Sequence, residues 1–203
     1  MNNYKKIILD NGIPLYLYND KSLKQVFVNY IVKYGSDGKW YDFELDNKKH
    51  HVLPGCAHYL EHLLLEHSKY GDLISRFDEK YYHSNAGTAN NYTSYYFYGV
   101  DDIKNSIKQL IETIDSPVFD KKDVEQSRYA IEEEASMDGD DVYSTSLNLT
   151  ERNLYGGYEV FYKTLSPIGN RKTTKEIKIE DLYNCYNAFY TNDKKNISNR
   201  RKH

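Results

Sequence analysis

Pro54-Gly-Cys-Ala-His-Tyr-Leu-Glu-His-Leu-Leu-Leu-Glu66 is the stretch of this 203-residue chain from which its fold and chemistry can be inferred. Its leucines recur on one face of a predicted helix that begins after the Pro-Gly pair. His58 and His62 are four residues apart, so they lie one turn apart on the same helical face. Glu61 is beside His62 and three residues after His58. The stretch therefore predicts a helix that presents two imidazoles and one carboxylate to a single point.

These three side chains are the groups that metal-assisted hydrolysis requires. Neutral imidazole suits zinc, and a catalytic zinc site combines three protein ligands with a fourth position open to water. We therefore predict one zinc ion per chain, with His58 and His62 as ligands and Glu61 as the catalytic base. The order His-x-x-Glu-His inverts the common zincin motif and is the signature of the inverzincins. The third ligand must come from elsewhere in the chain.

Three consecutive glutamates, Glu132, Glu133 and Glu134, are the candidates for the third ligand. They lie in a predicted helix over residues 120–137, in which each residue advances about 100° around the axis. The small and apolar positions of this helix form one stripe: Ser127, Ala130, Ile131 and Met137. Glu134 falls within that stripe, where a carboxylate is costly unless a cation or donors meet it. We therefore expect Glu134 to be the ligand, Glu132 to be the alternative, and Glu133 to be solvated.

The segments around the motif resemble the inverzincin family of pitrilysin, insulin-degrading enzyme and the mitochondrial processing peptidases, and most closely its small bacterial processing-protease branch. The likeness is carried by the motif at 58–62, by Val32-Lys-Tyr-Gly-Ser36, by Asn85-Ala-Gly-Thr88 with Thr93 and Tyr95, and by the helix that ends in Glu134. It extends over roughly residues 5–190. The resemblance implies a pitrilysin-type zinc metalloendopeptidase that hydrolyses peptides or small unfolded polypeptides.

The resemblance also implies roles for individual residues. It agrees with Glu134 as the ligating glutamate. The family usually carries a second glutamate seven positions earlier, where this chain has Ser127. The polar segment Asn85, Ala86, Gly87 and Thr88 resembles the family's edge strand, which holds an extended peptide substrate by backbone pairing.

The resemblance also implies that the active site is completed by a second half-domain. An active half such as residues 1–190 would face a similar second half, supplied by the same protein or by a homo- or heterodimer partner. The alternative is a truncated or partner-dependent half-domain that binds zinc and a partner chain without cleaving peptides itself. The segment 191–203 contains almost no apolar residues, so we expect it to be a disordered tail.

Composition excludes several other classes of function. The formal net charge is −3 with both signs interspersed, so no basic surface predicts a nucleic-acid partner. No apolar run approaches the roughly 20 residues that span a membrane, and the N-terminus has no signal-peptide pattern. The two cysteines make no disulfide framework. We expect a soluble protein of the cytoplasm.

Periodicity predicts an α+β fold in which a mostly antiparallel sheet of about four to six strands packs on several helices. Strands are predicted over residues 4–10, 13–19, 25–34 and 92–100, the first two joined by the hairpin signal Asn11-Gly12. The strand over 25–34 is expected to be buried on both faces. Besides the motif helix and the one over 120–137, helices are predicted over residues 72–77, 102–116, 144–154 and 180–189. The charged stretch 41–51 is predicted to be a loop.

Overall fold

A six-stranded sheet forms the centre of the fold in the computed structural model, which describes residues 4–20, 22–157 and 167–201. The spatial order of its strands is β1-β2-β8-β3-β7-β6. Four of its five strand pairings are antiparallel, and only β2 with β8 is parallel. The strands of the described chain are β1 (Tyr4–Ile8), β2 (Pro14–Asn19), β3 (Val26–Val32), β4 (Asp42–Leu45), β5 (Lys48–His51), β6 (His83–Thr88), β7 (Thr93–Gly99) and β8 (Lys195–Arg201). The predicted α+β class with a mostly antiparallel sheet is confirmed.

Seven α-helices accompany the sheet in the described ranges. They are α1 (Cys56–Glu66), α2 (Leu73–Asp78), α3 (Ile103–Asp115), α4 (Lys121–Asp140), α5 (Val142–Leu154), α6 (Arg171–Glu176) and α7 (Ile179–Phe189). All except α6 were predicted. The start of α4 is fixed by a capping box in which the Asp120 carboxylate accepts from the amide of Asp123 and the Asp123 carboxylate accepts from that of Asp120.

The core lies between the sheet and helices α1 and α7. Strand β3 contributes Val28, Tyr30 and Val32, which alternate with half-buried residues on the opposite face. The expectation that this strand is buried on both faces is therefore wrong, because one face of the sheet is only partly covered. Other buried members of the same core come from β7, α1 and α7: Tyr95, Phe97, Leu60, Leu63, Leu64 and Leu182.

The prediction of a disordered tail over 191–203 is also wrong for its described part. Residues Lys195–Arg201 form β8, which is inserted between β2 and β3 and pairs with both. Ile197 is buried, and the buried ammonium of Lys195 lies 2.7 Å from the carboxylate of Asp115 at the end of α3. Ladder hydrogen bonds on both sides stabilise a strand whose own residues have little β propensity.

The charged stretch 41–51 is a hairpin rather than the predicted loop. Strands β4 and β5 form a separate two-stranded sheet. Asp46 and Asn47 make its turn with φ values of 52° and 60°, a left-handed conformation that Asp and Asn tolerate. His51 is exposed and pairs with Asp42, while His50 stacks on Phe43, so neither belongs to the site on α1.

Candidate metal centre

Helix α1 is buried along most of its length, which is why polar groups on it need specific partners. Nine of its eleven residues are buried, including His58 and Glu61. The helix begins after Gly55, whose φ of 100° is left-handed, and a Cβ at Gly55 would lie 2.6 Å from the carbonyl oxygen of Ile168. Only glycine allows both this conformation and this close backbone approach. The start of the helix is thereby held in place.

Two histidines of α1 and one glutamate of α4 converge on one point. Oε2 of Glu134 lies 3.5 Å from Nε2 of His58 and 3.3 Å from Nε2 of His62. One ligand atom from each of the three residues lies within 4.8 Å of the other two. Tetrahedral zinc with ligands about 2.05 Å away separates two of those ligands by about 3.3 Å. The distances from Glu134 to the two histidines therefore match the edges of a zinc coordination sphere.

The three glutamates of α4 point in different directions. The buried line of this helix runs through Val124, Ser127 and Ile131, and Glu134 continues it one turn later. Two members of the stripe inferred from the sequence, Ala130 and Met137, are instead exposed. The site nevertheless receives the carboxylate of Glu134, since positions 127, 131 and 134 share one helical face.

Glu132 turns away from the histidines. Its Oε2 lies 3.4 Å from Nε of Arg171 and 3.9 Å from Nζ of Lys175, both on α6. The carboxylate is thus paired with two cations on another side of α4. Glu133 is exposed. This geometry favours Glu134 over the alternative ligand Glu132.

The protonation states of the two histidines differ because their surroundings differ. Burial, with the charge on His62 beside it, lowers the pKa of His58 to about 4, so its imidazole is neutral at neutral pH, as a metal ligand must be. Burial alone would lower the pKa of His62, but its pairing with Glu134 and Glu66 outweighs this and raises the pKa to about 10. The negative charge that retains a proton on His62 would equally attract a metal cation.

The donor set and the accessibility of the site both fit zinc. Two imidazole nitrogens and one carboxylate oxygen are the protein ligands of a common class of catalytic zinc site. The side chains of His58, His62 and Glu134 are 8%, 19% and 47% exposed, so the point where they meet opens to solvent on the Glu134 side. Nδ1 of His58 is buried and has no hydrogen-bond partner among the described residues. Packing therefore orients the His58 ring.

Glu61 is held beside the histidines by the last residue of β6. Oγ1 of Thr88 donates a hydrogen bond of 2.6 Å to Oε2 of Glu61. Burial raises the pKa of Glu61 to about 7, although the Thr88 hydrogen bond works against this shift. A carboxylate with a pKa near neutrality can both accept and release a proton at physiological pH.

The predicted substrate segment lies on strand β6. Among the described strands only β7 pairs with this segment, and β6 is at the edge of the sheet: Asn85, Ala86, Gly87 and Thr88. Asn85 and Gly87 are exposed. The amide of Ala86 donates to Oδ1 of Asn85 at 2.8 Å, so a neighbouring side chain occupies one of the amides of this strand.

Sequence reasoning missed a network behind His62. Nδ1 of His62 lies 2.8 Å from Oε1 of Glu66, whose Oε2 accepts a 2.9 Å hydrogen bond from Oγ of Ser127. Ser127 is the position where the resemblance implied a glutamate. Beyond Glu66, Nδ1 of His67 lies 3.1 Å from Asp123. The spacing of four residues between His62 and Glu66 is the signal that could have indicated the first contact.

Comparison with known proteins finds one peptidase family and protease relatives. Residues 46–167 match the protein family described as Insulinase (Peptidase family M16). The zinc protease YmfH of Bacillus subtilis is 28% identical over 186 residues, which cover 90% of this chain and 42% of that protein. Protease 3 of Escherichia coli K12 is 30% identical over 139 residues, or 66% of this chain and 13% of the relative. The chain thus spans less than half the length of these relatives.

Solved structures show the same architecture. An M16-like peptidase from Alicyclobacillus acidocaldarius superposes with a TM-score of 0.86 at 25% identity, over 97% of this chain and 45% of that one. Pitrilysin superposes with a TM-score of 0.73 at 22% identity, over 97% of this chain and 20% of its own. The second likeness shows the fold alone. In both comparisons this chain matches only part of the solved chain.

Proposed function

The chain belongs to the insulinase family, peptidase family M16, and we propose that it forms the active-site half of a zinc-dependent metalloendopeptidase acting on peptides or small unfolded polypeptides. The relative YmfH is named a zinc protease. The observation that carries the proposal is the approach of Glu134 Oε2 to within 3.3 and 3.5 Å of the two imidazole nitrogens.

The residues of the centre have two different roles in hydrolysis, metal binding and proton transfer. His58, His62 and Glu134 would hold one zinc ion, which supplies Lewis acidity toward a water molecule and a peptide carbonyl. Glu61 accepts the proton of the attacking water and delivers it to the leaving amine. The Thr88 hydroxyl, which donates to Oε2 of Glu61, holds the carboxylate in place for this transfer.

Strand β6 supplies a site for the peptide beside these residues. Its outer edge is unpaired by any described strand, so an extended peptide can add to it as a further strand. Exposed Gly87 has no atom within 4 Å of the position of a Cβ, and this leaves room for a substrate backbone. Pairing at Ala86 would replace the bond that its amide now makes to Asn85.

A second candidate function is a half-domain that binds zinc and a partner chain but does not cleave peptides by itself. YmfH and the Alicyclobacillus structure extend beyond the matched region, since this chain spans 42% and 45% of them. Helices α4 and α5 also expose large apolar side chains that a second half or a dimer partner would cover. These are Tyr129, Met137, Val142, Tyr143 and Leu154.

Metal content and peptide cleavage distinguish the two candidates. The purified chain should contain about one zinc per molecule by elemental analysis, and the His58→Ala variant should contain none. Wild type should cleave a library of internally quenched fluorogenic peptides. Glu61→Gln should retain zinc and lose turnover, because the amide cannot accept the proton.

The matched control is Glu133→Gln, which removes one exposed carboxylate next to Glu134 and should change neither zinc content nor cleavage. A zinc-free wild type refutes both candidates. Zinc without cleavage in wild type supports the half-domain that needs a partner. Equal cleavage by wild type and Glu61→Gln refutes the assigned catalytic base.

A further inference from the structure

We infer that Glu66 is a positioning residue that orients His62 toward the zinc site. This inference rests on the proposed function, since it concerns a ligand of the same ion. Oε1 of Glu66 lies 2.8 Å from Nδ1 of His62. Nε2 on the other side of the ring lies 3.3 Å from Glu134. A contact at one ring nitrogen thus fixes the direction in which the other points.

The Glu66 carboxylate is itself held in place by α4. Its Oε2 accepts a 2.9 Å hydrogen bond from Oγ of Ser127, which is fully buried. Helix α4 also carries Glu134, so one carboxylate ties together the two helices that supply the ligands. A side chain anchored at both oxygens cannot rotate freely, and the His62 ring that it contacts is restrained in turn.

The two histidines differ in this respect. Nδ1 of His58 is buried without a hydrogen-bond partner in the described part of the chain, whereas Nδ1 of His62 has the Glu66 carboxylate. His62 is also the more exposed of the two, at 19% against 8%. Burial restrains the His58 ring, whereas the more exposed His62 ring needs a polar contact to keep one orientation. Glu66 supplies that contact from one turn further along α1.

The effect of Glu66 should appear in zinc affinity. Removal of a group that hydrogen-bonds to a metal-ligating histidine typically weakens metal affinity by about 10- to 100-fold. We therefore expect Glu66→Ala to bind zinc about 10- to 100-fold more weakly than wild type in a chelator competition titration. Glu66→Gln keeps an oxygen that can accept from His62 Nδ1 and should recover a large part of the loss. Ser127→Ala removes only the anchor of the carboxylate and should have a smaller effect.

A spectroscopic readout separates positioning from a general loss of structure. In zinc-loaded protein labelled with ¹⁵N-histidine, the Nδ1 proton of His62 should be protected from exchange in wild type and Glu66→Gln. In Glu66→Ala this protection should be lost, while the signals of His58 remain as in wild type. Circular dichroism of the zinc-free variants checks that the fold is retained.

The control Glu133→Ala removes the same charge from an exposed position on α4 and should bind zinc as wild type does. Equal zinc affinities in wild type and Glu66→Ala overturn the inference, as does an equal loss in Glu66→Ala and Glu133→Ala. Unchanged protection of the His62 proton in Glu66→Ala also overturns it. A wild type that binds no zinc overturns the proposed function itself, which distinguishes the two failures.

Discussion

Replacement of Gly35 by alanine tests how closely the loop after β3 approaches the turn between β6 and β7. A Cβ at Gly35 would overlap the carbonyl oxygen of Ala89 and lie 2.7 Å from both the carbonyl carbon and oxygen of Asn90. Contacts between nonbonded heavy atoms are favourable at about 3.5–4.0 Å, so one backbone must move by about 1 Å. The atoms involved belong to the main chain and cannot rotate out of the way.

The cost can be worked from what this movement breaks. The amide of Ser36 donates to Ala89 and that of Asp37 donates to Asn90, each over 3.0 Å. Overpacking costs about 1–3 kcal/mol and each lost hydrogen bond about 0.5–1.5 kcal/mol. We expect Gly35→Ala to lower the free energy of unfolding by about 2–6 kcal/mol, which moves the urea midpoint by about 1–2 M at an m-value of roughly 3 kcal/mol per M.

Gly87→Ala is the matched control, because no atom lies within 4 Å of a Cβ built there. Its free energy of unfolding should stay within about 1 kcal/mol of wild type, since alanine also restricts the unfolded chain. Both variants are measured by urea titration followed by circular dichroism. Equal midpoints for Gly35→Ala and Gly87→Ala would refute the close backbone approach from which the magnitude was derived.

Three further predictions concern the site and the sheet. Glu134→Gln should weaken zinc binding by more than about 100-fold in a chelator competition, because direct ligands are worth more than outer contacts, whereas Glu132→Gln should bind as wild type does. Thr88→Val should reduce kcat/KM about tenfold through loss of a hydrogen bond to the Glu61 carboxylate. Since that hydrogen bond lowers the pKa of Glu61, its loss should move the acid limb of the pH profile to higher pH. An unmoved acid limb contradicts the assignment of Glu61 as the catalytic base. Lys195→Met should destabilise the fold by about 2–3 kcal/mol in urea titration, because it removes the cation beside the partly buried carboxylate of Asp115 and leaves it the hydrogen bond from Tyr30. A wild-type midpoint would argue against β8 in the sheet.

Local patterns predicted the elements whose stability is determined within their own sequence. The spacing of His58 and His62 is set by helix geometry, so their shared face followed from the sequence without knowledge of the fold. The Asp120 capping box and the turn at Asn11-Gly12 are likewise local signals, and both elements formed where they were expected. In each case the residues that specify the structure lie within a few positions of one another.

Elements stabilised by distant neighbours could not be predicted in this way. Strand β8 is polar apart from Ile197, and it is stable because β2 and β3 bond to both of its edges and Asp115 neutralises Lys195. The hairpin at 42–51 has charged strands without an apolar period, and its turn depends on left-handed Asp46. Nothing in either segment's own composition indicates a partner.

The site combines both kinds of information. The choice of Glu134 followed from a helical stripe, yet Ala130 and Met137, which helped to define that stripe, are exposed. The stripe still indicates Glu134, because its other two members, Ser127 and Ile131, are buried on the helical face that Glu134 continues. By contrast, the hydrogen bond from Thr88 to Glu61 joins residues 27 positions apart, so it required the sheet to be known. The position of Glu61 on α1, the proposed catalytic base, therefore depends on an edge strand that lies outside the helix motif.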